Sequence, residues 1–95
     1  MRTPLTPEAL QTALTTLPNW HLEAGQITRT LTFPTFLQAI DFVNAAAALA
    51  ESANHHPDLD IRYNRVRVAL STHDAGGITH NDITMAKDLD KLFLP

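Results

Sequence analysis

Cysteine is absent from the 95 residues, which excludes disulfides and thiolate metal sites and makes an intracellular, cytoplasmic setting the expectation. No apolar run approaches a membrane span, since the longest, Ala45 to Ala50, is short and mostly alanine. Met1-Arg2-Thr3-Pro4 lacks the apolar core expected of a secretory signal. An excess of positive charge is missing too. Seven Lys and Arg stand against ten Asp and Glu, for a formal net charge of −3. The signs are interspersed, so no broad phosphate-binding surface and no direct nucleic-acid or membrane partner is expected. The one basic cluster is Arg62, Arg65 and Arg67. No linker, repeat or low-complexity tract divides the chain. Its length predicts one small domain, residues 1–95, with a single two-layer core.

What is present is regular patterning. Thr6-Pro7-Glu8 starts a helix, with threonine as N-cap and proline at the first helical position. Leu10, Ala13, Leu14 and Leu17 follow at helical spacing until Pro18-Asn19. Trp20 and Leu22 alternate with polar residues before Gly25. Ile27, Leu31 and Phe33 then alternate with Thr28, Thr30 and Thr32, and the two segments predict a hairpin. Arg29 falls on the apolar side, where its stem can pack while its head reaches solvent.

Thr35 with Gln38 resembles a capping box, and Phe36, Ile40, Val43, Ala47 and Ala50 give the stripe of a long helix running to about Ala53. Asn54 and the prolyl bond at Pro57 end it. Leu59, Ile61 and Tyr63 alternate next. With Asn64-Arg65 as the turn, they face Leu70, Val68 and Val66, and Arg62 falls opposite Arg67. Thr79 with Asp82 matches a second capping pattern, ahead of the stripe Ile83, Ala86, Leu89 and Phe93. The order α-β-β-α-β-β-α predicts an α+β two-layer sandwich, a four-stranded antiparallel sheet with helices on one face.

Chemistry concentrates in the histidines. Imidazole is the one side chain whose unperturbed pKa lies near neutral pH. His55-His56-Pro57 closes the long helix, and His73 follows the last strand in Leu70-Ser71-Thr72-His73. If the two middle elements are neighbours, all three rings meet at one rim. Three readings remain open on spacing alone: caps on the last helical carbonyls, a proton-transfer site, or a metal site. Metal is poorly served, because adjacent histidines in an extended segment point to opposite sides and no cysteine or glutamate stands at a usual ligand spacing. Glu51, one turn before the pair, can hydrogen-bond back towards it. Asp82 can orient a ring as well as cap its helix. Trp20 reads as core, or as an indole stacked at a pocket edge.

Glu51-Ser-Ala-Asn-His-His-Pro57, Tyr63-Asn-Arg-Val66, Leu70-Ser-Thr-His73, Gly77-Ile-Thr79 and Asp82-Ile83 together resemble the pterin-4a-carbinolamine dehydratase family, also known as the dimerisation cofactor of a homeodomain transcription factor. Leu17-Pro-Asn-Trp20 and Phe33-Pro-Thr-Phe36 extend the likeness over nearly the whole chain. The resemblance implies the α+β fold and a strand-edge homodimer, with homotetramers in some members. It also implies loss of water from 4a-hydroxytetrahydropterin to give quinonoid dihydropterin, in recycling of tetrahydrobiopterin, with no metal or organic cofactor. By position it makes His55, His56 and His73 the catalytic histidines. Asn54, Ser71, Thr72 and Asp74 become pterin-contacting positions, with Glu51, Pro57, Asp82 and Trp20 in support. Two departures stand out: Asn54 where many members carry an acid, and Leu59 where many carry an aromatic. The resemblance also carries an alternative, a protein-binding module acting like a transcriptional coactivator.

Overall fold

Each helix begins at a threonine whose hydroxyl takes a backbone N–H that the first turn leaves without a partner. In the computed structural model, which describes residues 3–93, Thr6 Oγ1 accepts from the Ala9 N–H at 3.1 Å and starts α1, Pro7–Leu14. Thr35 Oγ1 accepts from the Gln38 N–H at 3.1 Å and starts α2, Phe36–Ala53. Thr79 Oγ1 accepts from the Asn81 N–H at 3.2 Å and starts α3, His80–Leu92. Met1 and Arg2 of the N-terminal reading lie outside the described residues.

Helix α1 ends before Pro18-Asn19. The Thr15 and Thr16 hydroxyls donate back to the carbonyls of Thr12 and Ala13, both at 2.6 Å, and the chain tightens into i→i−3 bonds there. The first hairpin pairs β1, His21–Glu23, with β2, Gln26–Thr32, around Ala24-Gly25. Those two residues have φ of 51° and 79°, the left-handed pair a two-residue hairpin turn requires.

The second hairpin, β3 Asp58–Arg62 and β4 Arg65–Leu70, departs from the expected register. Ile61 pairs with Val66, Leu59 with Val68, and Asp60 rather than Arg62 faces Arg67. The turn is Tyr63-Asn64, with Tyr63 at φ 53°. Asn64 is held by Phe33, whose carbonyl accepts from Asn64 Nδ2 at 2.7 Å and whose N–H donates to the Asn64 carbonyl at 2.9 Å. That tertiary clamp places the turn one residue earlier. The shift is two residues in register, so every apolar side chain keeps its face.

The antiparallel sheet runs β1-β2-β4-β3. Ile27, Leu31, Val66, Val68 and Leu70 line its apolar face and pack with Phe42, Ala46, Ile83, Ala86 and Leu89 of the helices. The buried face of α2 is Ala39, Phe42, Ala46 and Ala50, about one position round from the expected stripe, and Phe36 and Ala47 are exposed. Arg29 does not send its head to open water. Its Nη1 donates to Asp90 Oδ1 of α3 at 2.5 Å, and its guanidinium lies 5.2 Å from the Phe93 ring centroid. Trp20 Nε1 donates to the same Asp90 oxygen at 2.9 Å. No helix among the described residues is long and apolar enough to cross a membrane.

Candidate active site

The site begins with the way α2 stops. Asn54 adopts the left-handed conformation at φ 50°, a region that asparagine tolerates better than most residues. The His55 N–H then closes onto the Ala50 carbonyl at 3.1 Å. The chain leaves extended into β3, and the two imidazoles part. His55 turns inward and is 8% exposed, whereas His56 stays at the surface.

His55 Nε2 lies 2.5 Å from Asp82 Oδ1. Asp82 is fully buried, a costly position for a carboxylate unless its oxygens are bonded. Its Oδ2 accepts from the Thr79 N–H at 2.9 Å and from the Thr72 hydroxyl at 2.8 Å. Thr72 and Thr79 hydroxyls lie 2.8 Å apart. A carboxylate only accepts, which fixes the direction of the chain. The Asn81 N–H donates to Thr79, the Thr79 hydroxyl to Thr72, and the Thr72 hydroxyl to Asp82. By the same rule His55 carries its proton on Nε2, and Nδ1 is the ring's acceptor when the imidazole is neutral.

His56 Nε2 meets Glu51 Oε2 at 2.5 Å across the end of α2, in an exposed pair. His73 comes from the other side. It opens a single 3₁₀ turn, His73–Ala75, that follows β4 and closes through the Thr72–Gly77 bridge and Gly76 at φ 78°. His73 and Asp74 are exposed there.

Asn54, His55 and His56 on one side and Ser71 to Asp74 on the other line one recess of about 260 Å³. The structure thus brings together every residue expected to catalyse or to contact substrate. Thr72 contributes differently from the expectation, because its side chain is buried and its hydroxyl is used by Asp82. Among the supporting positions, Asp82 and Glu51 each hold a histidine. Pro57 is half-buried between His56 and β3. Trp20 lies in the core on Asp90, outside the lining of the recess. Thr79 was legible only as a helix cap, and nothing in its spacing announced a bond to Thr72. Among the described residues no group of three or more His, Asp or Glu is placed to hold a metal ion.

A family model described as pterin 4 alpha carbinolamine dehydratase matches residues 3–92. A protein of Acidobacterium capsulatum, assigned provisionally as a pterin-4-alpha-carbinolamine dehydratase, is 52% identical over 88 residues, 93% of this chain and 96% of its own. A protein of Mycobacterium tuberculosis with the same provisional assignment is 49% identical over 89 residues, 94% of this chain and 95% of its own. Among solved structures, a transcriptional coactivator/pterin dehydratase of Brucella melitensis superposes with a TM-score of 0.91 at 37% identity, covering 95% of this chain and 98% of that one. A pterin dehydratase-like RuBisCO assembly factor of the alpha-carboxysome, at 22% identity and a TM-score of 0.64 over 77% of this chain and 84% of that one, shares the fold. With its sequence matched almost end to end, this chain belongs to the pterin 4 alpha carbinolamine dehydratase family.

Proposed function

We propose that the protein is an enzyme that dehydrates pterin-4a-carbinolamine to quinonoid dihydropterin. The observation that carries this reading is the recess in which three imidazoles converge, one of them fixed in orientation and tautomer by a buried carboxylate. The reaction breaks the C4a–O bond and the N5–H bond, forms a C4a=N5 double bond and releases water. Hydroxide is a poor leaving group, so an acid must protonate the departing oxygen while a base takes the N5 proton. Each positioned proton transfer is worth roughly 10²–10⁴ in rate. His55, poised by Asp82, and His73, from the facing loop, exchange protons with the hydroxyl and N5. His56, braced by Glu51, holds the pterin with Asn54, Ser71 and Asp74. No electrons change hands, and the side chains alone supply the chemistry.

This activity fits recycling of a tetrahydrobiopterin-type cofactor after hydroxylation, in the cytoplasm. The reading carries self-association with it, as a homodimer or homotetramer. The outer edge of β3 and the turn that follows it are the surface we assign to it, where Ile61 and Tyr63 are 39% and 72% exposed. The test of the activity is turnover of a synthetic 4a-hydroxytetrahydropterin by the purified protein, against the same assay with His73→Ala.

A second reading, a protein-binding module, is favoured by the coactivator name of the structural relative that is 37% identical. The same exposed β3 edge is its surface. Absence of a stoichiometric partner in a pull-down, alongside turnover by the isolated protein, counts against it.

A further inference from the structure

His73 sits on a loop whose two ends are fixed and whose returning limb carries two glycines. At one end the Thr72 hydroxyl donates to Asp82 Oδ2, and at the other the Thr79 N–H donates to the same oxygen. Between them the chain turns back at Gly76, with φ 78°, and passes through Gly77. Two glycines in a row leave this backbone more conformational freedom than other residues would. The Thr72–Gly77 bridge that closes the loop is isolated. Its two bonds measure 3.0 and 3.4 Å, the second beyond the roughly 2.7–3.2 Å usual for N–H···O bonds.

A segment from the far end of the chain braces this limb. Leu5, just ahead of α1, donates its N–H to the Ile78 carbonyl at 2.8 Å, a shorter bond than any backbone bond within the loop. Pro4 lies over Gly77, where an added Cβ would come within 3.5 Å of Pro4 Cβ and 3.9 Å of its Cγ. The Leu5 side chain is half-buried against the core. Helix α1 itself holds no fully buried residue and meets the core through the partly buried Leu10, Ala13 and Leu14. The lead-in to α1 thus makes its backbone tie on the loop that carries His73.

Resting on the dehydratase reading, that tie bears on a proton transfer. The transfer needs donor and acceptor within about 2.6–3.2 Å, and a misplacement of about 1 Å can cost roughly 10²-fold in rate. The three histidines of the recess are held unequally. His55 is fixed by Asp82 and His56 by Glu51. No hydrogen bond among the described residues holds the His73 ring, so its place is set by the backbone of its loop. We propose that Leu5 is a positioning residue for His73. Its N–H, with the Pro4 ring on Gly77, holds the returning limb and so fixes where the imidazole meets substrate.

The experiment replaces the Pro4–Leu5 amide by an ester, with the α-hydroxy acid of leucine incorporated at position 5. This removes the N–H and keeps the side chain. Its counterpart is Leu5→Ala, which trims the side chain and keeps the N–H. Both are compared with the unsubstituted protein in kcat and KM for a 4a-hydroxytetrahydropterin, in imidazole NMR resonances and in amide hydrogen exchange. In the ester, kcat is expected to fall about 10- to 100-fold with KM held within about threefold. The His73 resonances move while those of His55 stay. The Gly76 and Gly77 amides exchange about two- to tenfold faster, the worth of one hydrogen bond. Leu5→Ala is expected to keep kcat within about threefold, even with a lower melting temperature. Unchanged kcat and His73 resonances in the ester would overturn the positioning role and leave the dehydratase reading standing. So would equal losses of kcat in the ester and Leu5→Ala with the His55 resonances moved as well. No turnover by the unsubstituted protein would overturn both.

Discussion

Asp82 divides its carboxylate between two tasks: Oδ1 meets His55 Nε2 at 2.5 Å, and Oδ2 takes the N–H of Thr79, the N-cap of its own helix, at 2.9 Å. The residue that starts α3 therefore also sets the orientation of a ring at the end of α2. Asp82→Asn separates the two tasks. The amide oxygen can still accept the cap N–H, but its NH₂ now faces His55 and demands the other tautomer. We expect kcat to fall about 100-fold or more, with far-UV circular dichroism unchanged. Steady-state kinetics beside the spectrum checks it.

Thr72→Val tests the support behind Asp82. The substitution keeps shape and removes the hydroxyl that donates to Asp82 and accepts from Thr79. Two buried polar groups lose a partner, so a destabilisation of about 1–3 kcal/mol is expected. Urea unfolding measures it. An unchanged midpoint would show that the threonine pair does not brace the carboxylate.

At the end of α2, Asn54 sits at φ 50°. Glycine adopts this conformation without strain, and a β-branched residue does not. Asn54→Gly is therefore expected to hold stability within about 0.5 kcal/mol, while Asn54→Val loses about 1–2 kcal/mol. Thermal melts of the pair decide it.

Away from the recess, Asp90 accepts from both Arg29 and Trp20 in a partly buried cluster. Asp90→Ala leaves a guanidinium on the apolar sheet face and an indole N–H without its acceptor. A loss of about 1–3 kcal/mol is expected, with kcat retained. Denaturation and turnover on the same preparation report both.

The legible parts of the fold were those written in local chemistry. The threonine caps, the alternation of β2 and β4 and the stop at Asn54 follow from residue type and spacing. The α2 face differs from the expected stripe because alanines at 39, 45–48 and 50 carry almost no directional signal, and Phe42, with Ala39, Ala46 and Ala50, takes the buried side. The Tyr63-Asn64 turn was missed because its determinant is a pair of bonds to Phe33, distant in sequence. Similarly, the recess was readable from His55, His56 and His73, whereas the hydroxyl relay from Thr79 to Asp82 exists only once the loop between β4 and α3 closes through the Thr72–Gly77 bridge.

The most direct measurement is the dehydration rate of a 4a-hydroxytetrahydropterin by the wild-type protein and by His55→Ala, His73→Ala and the double variant. Catalysis in the wild type, with each single substitution lowering kcat by roughly 10²–10⁴, is the expected result. Wild-type rates in both single variants, or no acceleration over buffer by the wild type, would contradict a histidine acid–base site in this recess.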